Sequence, residues 1–75
     1  MTASEILRSF LEVRKEVTTR DITKVLSEHG YSLSMIQYVI REAKLKGWIK
    51  PKARNRRGTW IYISTLYEGK VNRNG

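Results

Sequence analysis

The side chains with the most chemistry to offer in this 75-residue chain lie between Ser32 and Ser64. Ser34, Gln37, Tyr38 and Arg41 recur at intervals of three and four, the spacing that puts side chains on one face of a helix. A hydroxyl, a carboxamide, a phenol and a guanidinium in such a row make a face of hydrogen-bonding groups that a merely solvated helix rarely needs. Lys44, Lys46, Lys50, Lys52, Arg54, Arg56 and Arg57 follow, and no Asp or Glu occurs between Ala43 and Tyr67. Nearly all of the net charge of +8 therefore sits in one segment, which predicts a polyanion as partner.

Other chemistries find few residues to work with. There is no Cys and a single His, His29, so Ser-His and Cys-His nucleophiles, thiolate zinc sites and disulfides are excluded together. A carboxylate-only site would need a pair such as Glu28 and Glu42 in one pocket, and nothing in their spacing argues for it. No catalytic residue, metal or cofactor is expected. His29, just before Gly30, reads as the end of a helix, where a partly cationic ring suits the negative end of the dipole. No apolar run approaches the roughly 18 residues of a membrane span, and Met-Thr-Ala-Ser-Glu does not read as a signal peptide. A soluble protein of a reducing cytoplasm is expected, without a membrane partner.

These residues need a scaffold, and the flanking sequence supplies one. Thr2 with Glu5, and Thr18 with Asp21, have the spacing of reciprocal helix caps. The first cap opens a helix with Ile6, Leu7, Phe10, Leu11 and Val13 along its apolar side, and the second opens one with Ile22, Val25 and Leu26, stopped by Gly30. Val17-Thr18-Thr19 between them is a brief strand or an extended link. Ser32 or Ser34 caps a third helix over 33–46, closed by Gly47, whose buried stripe is expected to be Leu33, Ile36, Val39, Ile40 and Ala43. Trp48-Ile49-Lys50 then reads as a strand, with Trp48 packed at its root. Residues 52–58 read as a basic loop, and 59–64 as the clearest strand of the chain. Alternation separates Ile61 and Ile63 from Trp60, Tyr62 and Ser64, and the isoleucines are expected to cover the helices. Residues 3–64 would form one domain and 65–75 a mobile tail, with Leu66, Tyr67 and Val71 able to add one contact.

This order resembles the winged helix-turn-helix family of DNA-binding proteins. The residues that carry the likeness are Val-Thr-Thr-Arg-Asp-Ile at 17–22, Ile36, Ile40 and Ala43 on the third helix, Lys-Gly-Trp-Ile at 46–49 and Arg-Arg-Gly-Thr-Trp-Ile-Tyr-Ile at 56–63. More narrowly, length, basicity and an Arg-Arg-Gly before an aromatic strand are similar to the small PapI/FaeA-like regulators of fimbrial operons, although the third helix departs from theirs. The likeness implies an α+β fold with three helices and a small antiparallel hairpin wing, in the order α-β-α-α-β-β. It implies a DNA-binding transcription regulator of a prokaryotic cell or a virus-infected host cell, associated with the nucleoid. The third helix would lie in the major groove of double-stranded DNA, with Ser34, Gln37, Tyr38 and Arg41 toward the bases. Lys52, Arg54, Arg56 and Arg57 would hold phosphates or enter the minor groove, with Lys44 adding to the backbone field. Neutralising four to seven phosphates gives an expected salt slope of roughly −4 to −6.

Two alternatives stay open at this level. Trp60 and Tyr62, with Leu66 and Tyr67, could dock on RNA polymerase or a second regulator, or the basic aromatic hairpin could hold RNA. No heptad or apolar arm decides between a monomer and a weak homodimer.

Overall fold

The element boundaries follow from caps and glycines. In this computed structural model, which describes residues 2–67, α1 spans Ala3–Glu12, β1 Glu16–Thr18, α2 Thr19–Glu28, α3 Leu33–Leu45, β2 Ile49–Arg54 and β3 Trp60–Ser64. Thr2 Oγ1 accepts from the Glu5 amide at 3.2 Å while Glu5 Oε1 accepts from the Thr2 amide at 2.8 Å. Thr18 and Asp21 make the same exchange at 3.0 Å in each direction. Each box satisfies two amides that a helix start leaves unpaired. Of the two candidate serines, Ser32 caps α3.

The exits of α2 and α3 are built alike. Gly30 and Gly47 take φ of 87° and 77°, a region open to glycine at little cost. Behind them Tyr31 N–H donates to Leu26 O at 3.2 Å and Trp48 N–H to Ala43 O at 2.9 Å, the long bonds that close a helix through a left-handed residue. Because Thr18 both ends β1 and caps α2, Thr18→Ala is expected to lower stability by about 1 kcal/mol in urea unfolding, with the urea dependence of the unfolding free energy unchanged.

The three strands form one antiparallel sheet in the order β1-β3-β2. Val17 lies opposite Tyr62, Pro51 opposite Tyr62 on the other side, and Ile49 opposite Ser64. Val17, Ile49 and Tyr62 thus form the inner face of the sheet, and they join Leu7, Leu11, Ile22, Leu26, Ile36, Val39, Ile40 and Ala43 in one core. Phe10, Val25, Tyr31, Trp48 and Leu66 pack on its margin.

Four expectations need correction. The sheet turns the other face of β3 inward: Tyr62 is 4% exposed and Ile63 is 42% exposed. The cause is pairing with Val17 and a buried hydroxyl that finds its partner, since Ser64 Oγ donates to Leu11 O at 2.7 Å. Leu33, placed in the buried stripe of α3, is 61% exposed: it is the first residue of the helix, and the buried stripe begins a turn later at Ile36. Val13 is likewise outside the core, at the C-cap of α1. Finally, the hairpin strand runs on to Arg54, so Lys52 and Arg54 lie on β2 and not in a loop.

The start of the expected tail is also docked: Thr65 N–H donates to Trp48 O at 2.9 Å, its hydroxyl bonds Gly47 O, and Leu66 packs on the core. Val71, Lys70, Arg73 and the expected mobility of the last residues fall outside the described residues.

Candidate nucleic-acid interface

The outer face of α3 keeps its hydrogen-bonding groups together. Ser34, Gln37, Tyr38 and Arg41 line a single shallow depression, with the Tyr38 ring 57% exposed. The opposite side of the helix is held by Ile36, Val39, Ile40 and Ala43, so the orientation of the row is set by the core. Met35 and Leu45 of α3 are also exposed.

Adjoining grooves extend this face toward the sheet. Gln37 and Arg41 also line a groove with Thr19, Ile40, Lys44 and Tyr62, where α3 meets the N-terminus of α2. Thr19 in turn shares a second groove with Arg20, Thr23, Gly58, Thr59 and Trp60 at the hairpin tip. Adjoining grooves that share wall residues therefore line a concave surface from α3 past the start of α2 to the tip. The sequence reading missed Thr19, Arg20 and Thr23, because nothing in the chain's order shows that α2 begins beside a hairpin some 40 residues later. The Thr18-Asp21 capping box, which fixes where α2 begins, was the available signal.

The cations occupy different stations within this field. Arg56 and Arg57 sit at the centre of the turn between β2 and β3, and among the described residues their side chains have no ion-pair or hydrogen-bond partner. Arg20 and Arg41 are also exposed and unpaired there. Lys44 Nζ lies 5.3 Å from the centre of the Tyr62 ring, which anchors it at the groove. Lys46 is shared between Glu42, 3.9 Å away, and the Trp48 ring, 4.9 Å from its centre. Lys52 reaches across the outer face of the sheet to an ion pair with Glu16 of β1, so it points away from α3 and is not free to hold a phosphate there. Arg54 turns toward Trp60 and the carbonyl of Gly58.

The aromatic pair singled out for partner contacts is divided. Trp60 is 42% exposed and lines the grooves on both sides of the hairpin, while Tyr62 is a core residue. The contact expected of Tyr62 is therefore withdrawn. Among the described residues no cluster of His, Cys, Asp or Glu could hold a metal ion, and no helix is long and apolar enough to cross a membrane.

Compared with family models, curated proteins and solved structures, the chain matches none. What the concavity can do is set by its own groups: donors and acceptors on α3, cations on three sides, and no acidic side chain lining the grooves that join them.

Proposed function

We propose that this chain is a winged helix-turn-helix protein that binds double-stranded DNA and regulates transcription. The observation that carries the reading is the shared depression of Ser34, Gln37, Tyr38 and Arg41, linked by grooves with common walls to the hairpin tip that bears Arg56 and Arg57. A 13-residue helix fits the major groove, and a face of mixed donors and acceptors is what base edges require. The hairpin is then the wing, with Arg56 and Arg57 reaching phosphates or the adjacent minor groove. Arg20 joins them from the start of α2, and Lys44 from the groove between. Phosphate contacts supply affinity and register, and Gln37 and Arg41 supply choice.

Arg20, Arg41 and Lys44 line these grooves without an acidic partner, and with Arg56 and Arg57 of the adjoining tip they make five cations available to phosphates. The logarithm of affinity for duplex DNA should fall against the logarithm of salt with a slope of about −4.5. Titration against random duplexes and duplexes selected from a random pool, each at several salt concentrations, measures both terms. A slope near zero would remove the electrostatic half of the reading. Equal affinity for every duplex would reduce the protein to a nonspecific binder, and preference for single-stranded RNA in competition would move it to another class.

Docking on a polymerase or a second regulator through aromatics is less well supplied. Tyr62 is buried and Leu66 is packed on the core, which leaves Trp60 and Tyr67 as separate exposed rings.

A further inference from the structure

We infer that Arg54 is a positioning residue that locks the hairpin tip, and not one of the groups that touch the nucleic acid; the inference rests on the DNA-binding reading above. The antiparallel register sets Arg54 directly opposite Trp60, which puts both side chains on one face of the hairpin. Arg54 Nε and Nη2 both donate to the carbonyl oxygen of Gly58, at 3.3 and 3.2 Å, and its guanidinium carbon lies 5.5 Å from the centre of the Trp60 ring. One planar group thus bridges the end of β2, the turn and the start of β3. A lysine cannot make that bridge, since it offers a point charge where the contact needs a flat fork.

The rest of the turn is closed on itself. Asn55 Oδ1 accepts from the amides of Arg57 and Thr59 at 2.9 and 3.0 Å, Asn55 O accepts from the Gly58 amide at 3.0 Å, and Asn55 N–H donates to Thr59 O at 2.9 Å. Gly58 has φ of 83°, and a Cβ there would stand 3.2 Å from Arg54 Nη2. Its glycine therefore serves the backbone and the latch together. With Asn55 and Arg54 spent inward, Arg56 and Arg57 are, among the described residues, the cations of the tip that have no partner.

The wing arginines consequently have two jobs. Arg56 and Arg57 present charge, and Arg54 decides where that charge is held. Holding a short loop in its bound shape lowers the ordering cost of association, so losing the latch weakens binding without removing a phosphate contact.

Four variants of the full chain separate the roles: R54K, R54A, R56A and R57A. Arg54→Lys and Arg54→Ala should each weaken duplex binding about tenfold, the scale of one charge-assisted hydrogen bond. Arg54→Lys should leave the salt slope within about 0.3 of the parent, whereas Arg56→Ala and Arg57→Ala should each flatten it by about 0.9. Retention of parental affinity in Arg54→Lys, together with a flattening of about 0.9 in Arg54→Ala, would make Arg54 a phosphate ligand and overturn the inference.

A second measurement needs no DNA. In the free protein, amide exchange at Arg57, Gly58 and Thr59 should speed up in both Arg54 variants and stay unchanged in Arg56→Ala. Parental exchange rates in Arg54→Lys would also overturn the latch. If the parent binds no duplex, the DNA-binding reading fails while the exchange data still decide whether the latch exists.

Discussion

Truncating Tyr62 to Ala is expected to remove about 3 to 5 kcal/mol of stability, while Ile63→Ala, one residue on, costs less than about 1 kcal/mol. A domain of this length holds roughly 4 to 11 kcal/mol in total, so Tyr62→Ala gives up between about a quarter and all of it. The difference comes from the side of the sheet each residue occupies. The Tyr62 ring lies between Val17 on β1 and Pro51 on β2, with the Lys44 ammonium of α3 over it, and its loss leaves a cavity where two layers meet. Ile63 lies on the outer face, opposite Glu16 and Lys50, and gives up little surface when shortened. Tyr62→Phe keeps the ring and should cost less than about 1 kcal/mol. Urea and thermal unfolding followed by circular dichroism compare the three directly. A larger loss for Ile63→Ala than for Tyr62→Ala would mean that β3 is turned the other way.

The second large effect concerns choice of sequence and not stability. Arg41→Ala and Gln37→Ala should each cost about 1 to 3 kcal/mol of discrimination between a selected duplex and a random one. Both positions are exposed, so thermal unfolding should barely move. Because the two side chains line one depression, the double variant should lose less than the sum of the singles. Arg56→Ala and Arg57→Ala should weaken selected and random duplexes by equal factors. Competition titrations at fixed salt report both patterns. Uniform weakening by Arg41→Ala would move that residue from the bases to the backbone.

Local signals in the chain were legible wherever a few neighbouring residues decide the outcome. The two capping boxes, the stops at Gly30 and Gly47 and the inner stripe of α3 from Ile36 to Ala43 all depend on contacts within four or five positions. The grouping of Ser34, Gln37, Tyr38 and Arg41 is of the same kind, since helical periodicity alone brings them together. The face of β3 was not legible in this way. Both of its alternating sets are apolar enough to be buried, and the choice falls to Val17 and Leu11, more than forty residues earlier. Leu33 misled for a related reason: periodicity says which side of a helix is apolar, not how far along it another element extends. The cations show the same limit. Lys52 looked like part of a free cluster, yet its partner Glu16 stands 36 positions away, and charge counted along the chain cannot register an acid brought in by the sheet.

The small break in β2 has a consequence for how this protein behaves in company. β2 is an edge strand, and a flat edge with open amides and carbonyls invites another chain to zip onto it. Here Pro51 lacks an amide hydrogen, the register slips between Pro51 and Ala53, and Lys50 and Lys52 bring charge to the strand. At the other edge β1 offers only three residues. A basic protein gathered on a long polyanion reaches high local concentrations, the condition under which exposed strands coalesce into aggregates. Both margins of the sheet are poor templates for pairing, which, on the DNA-binding reading proposed above, disfavours strand-to-strand aggregation of molecules crowded along such a surface.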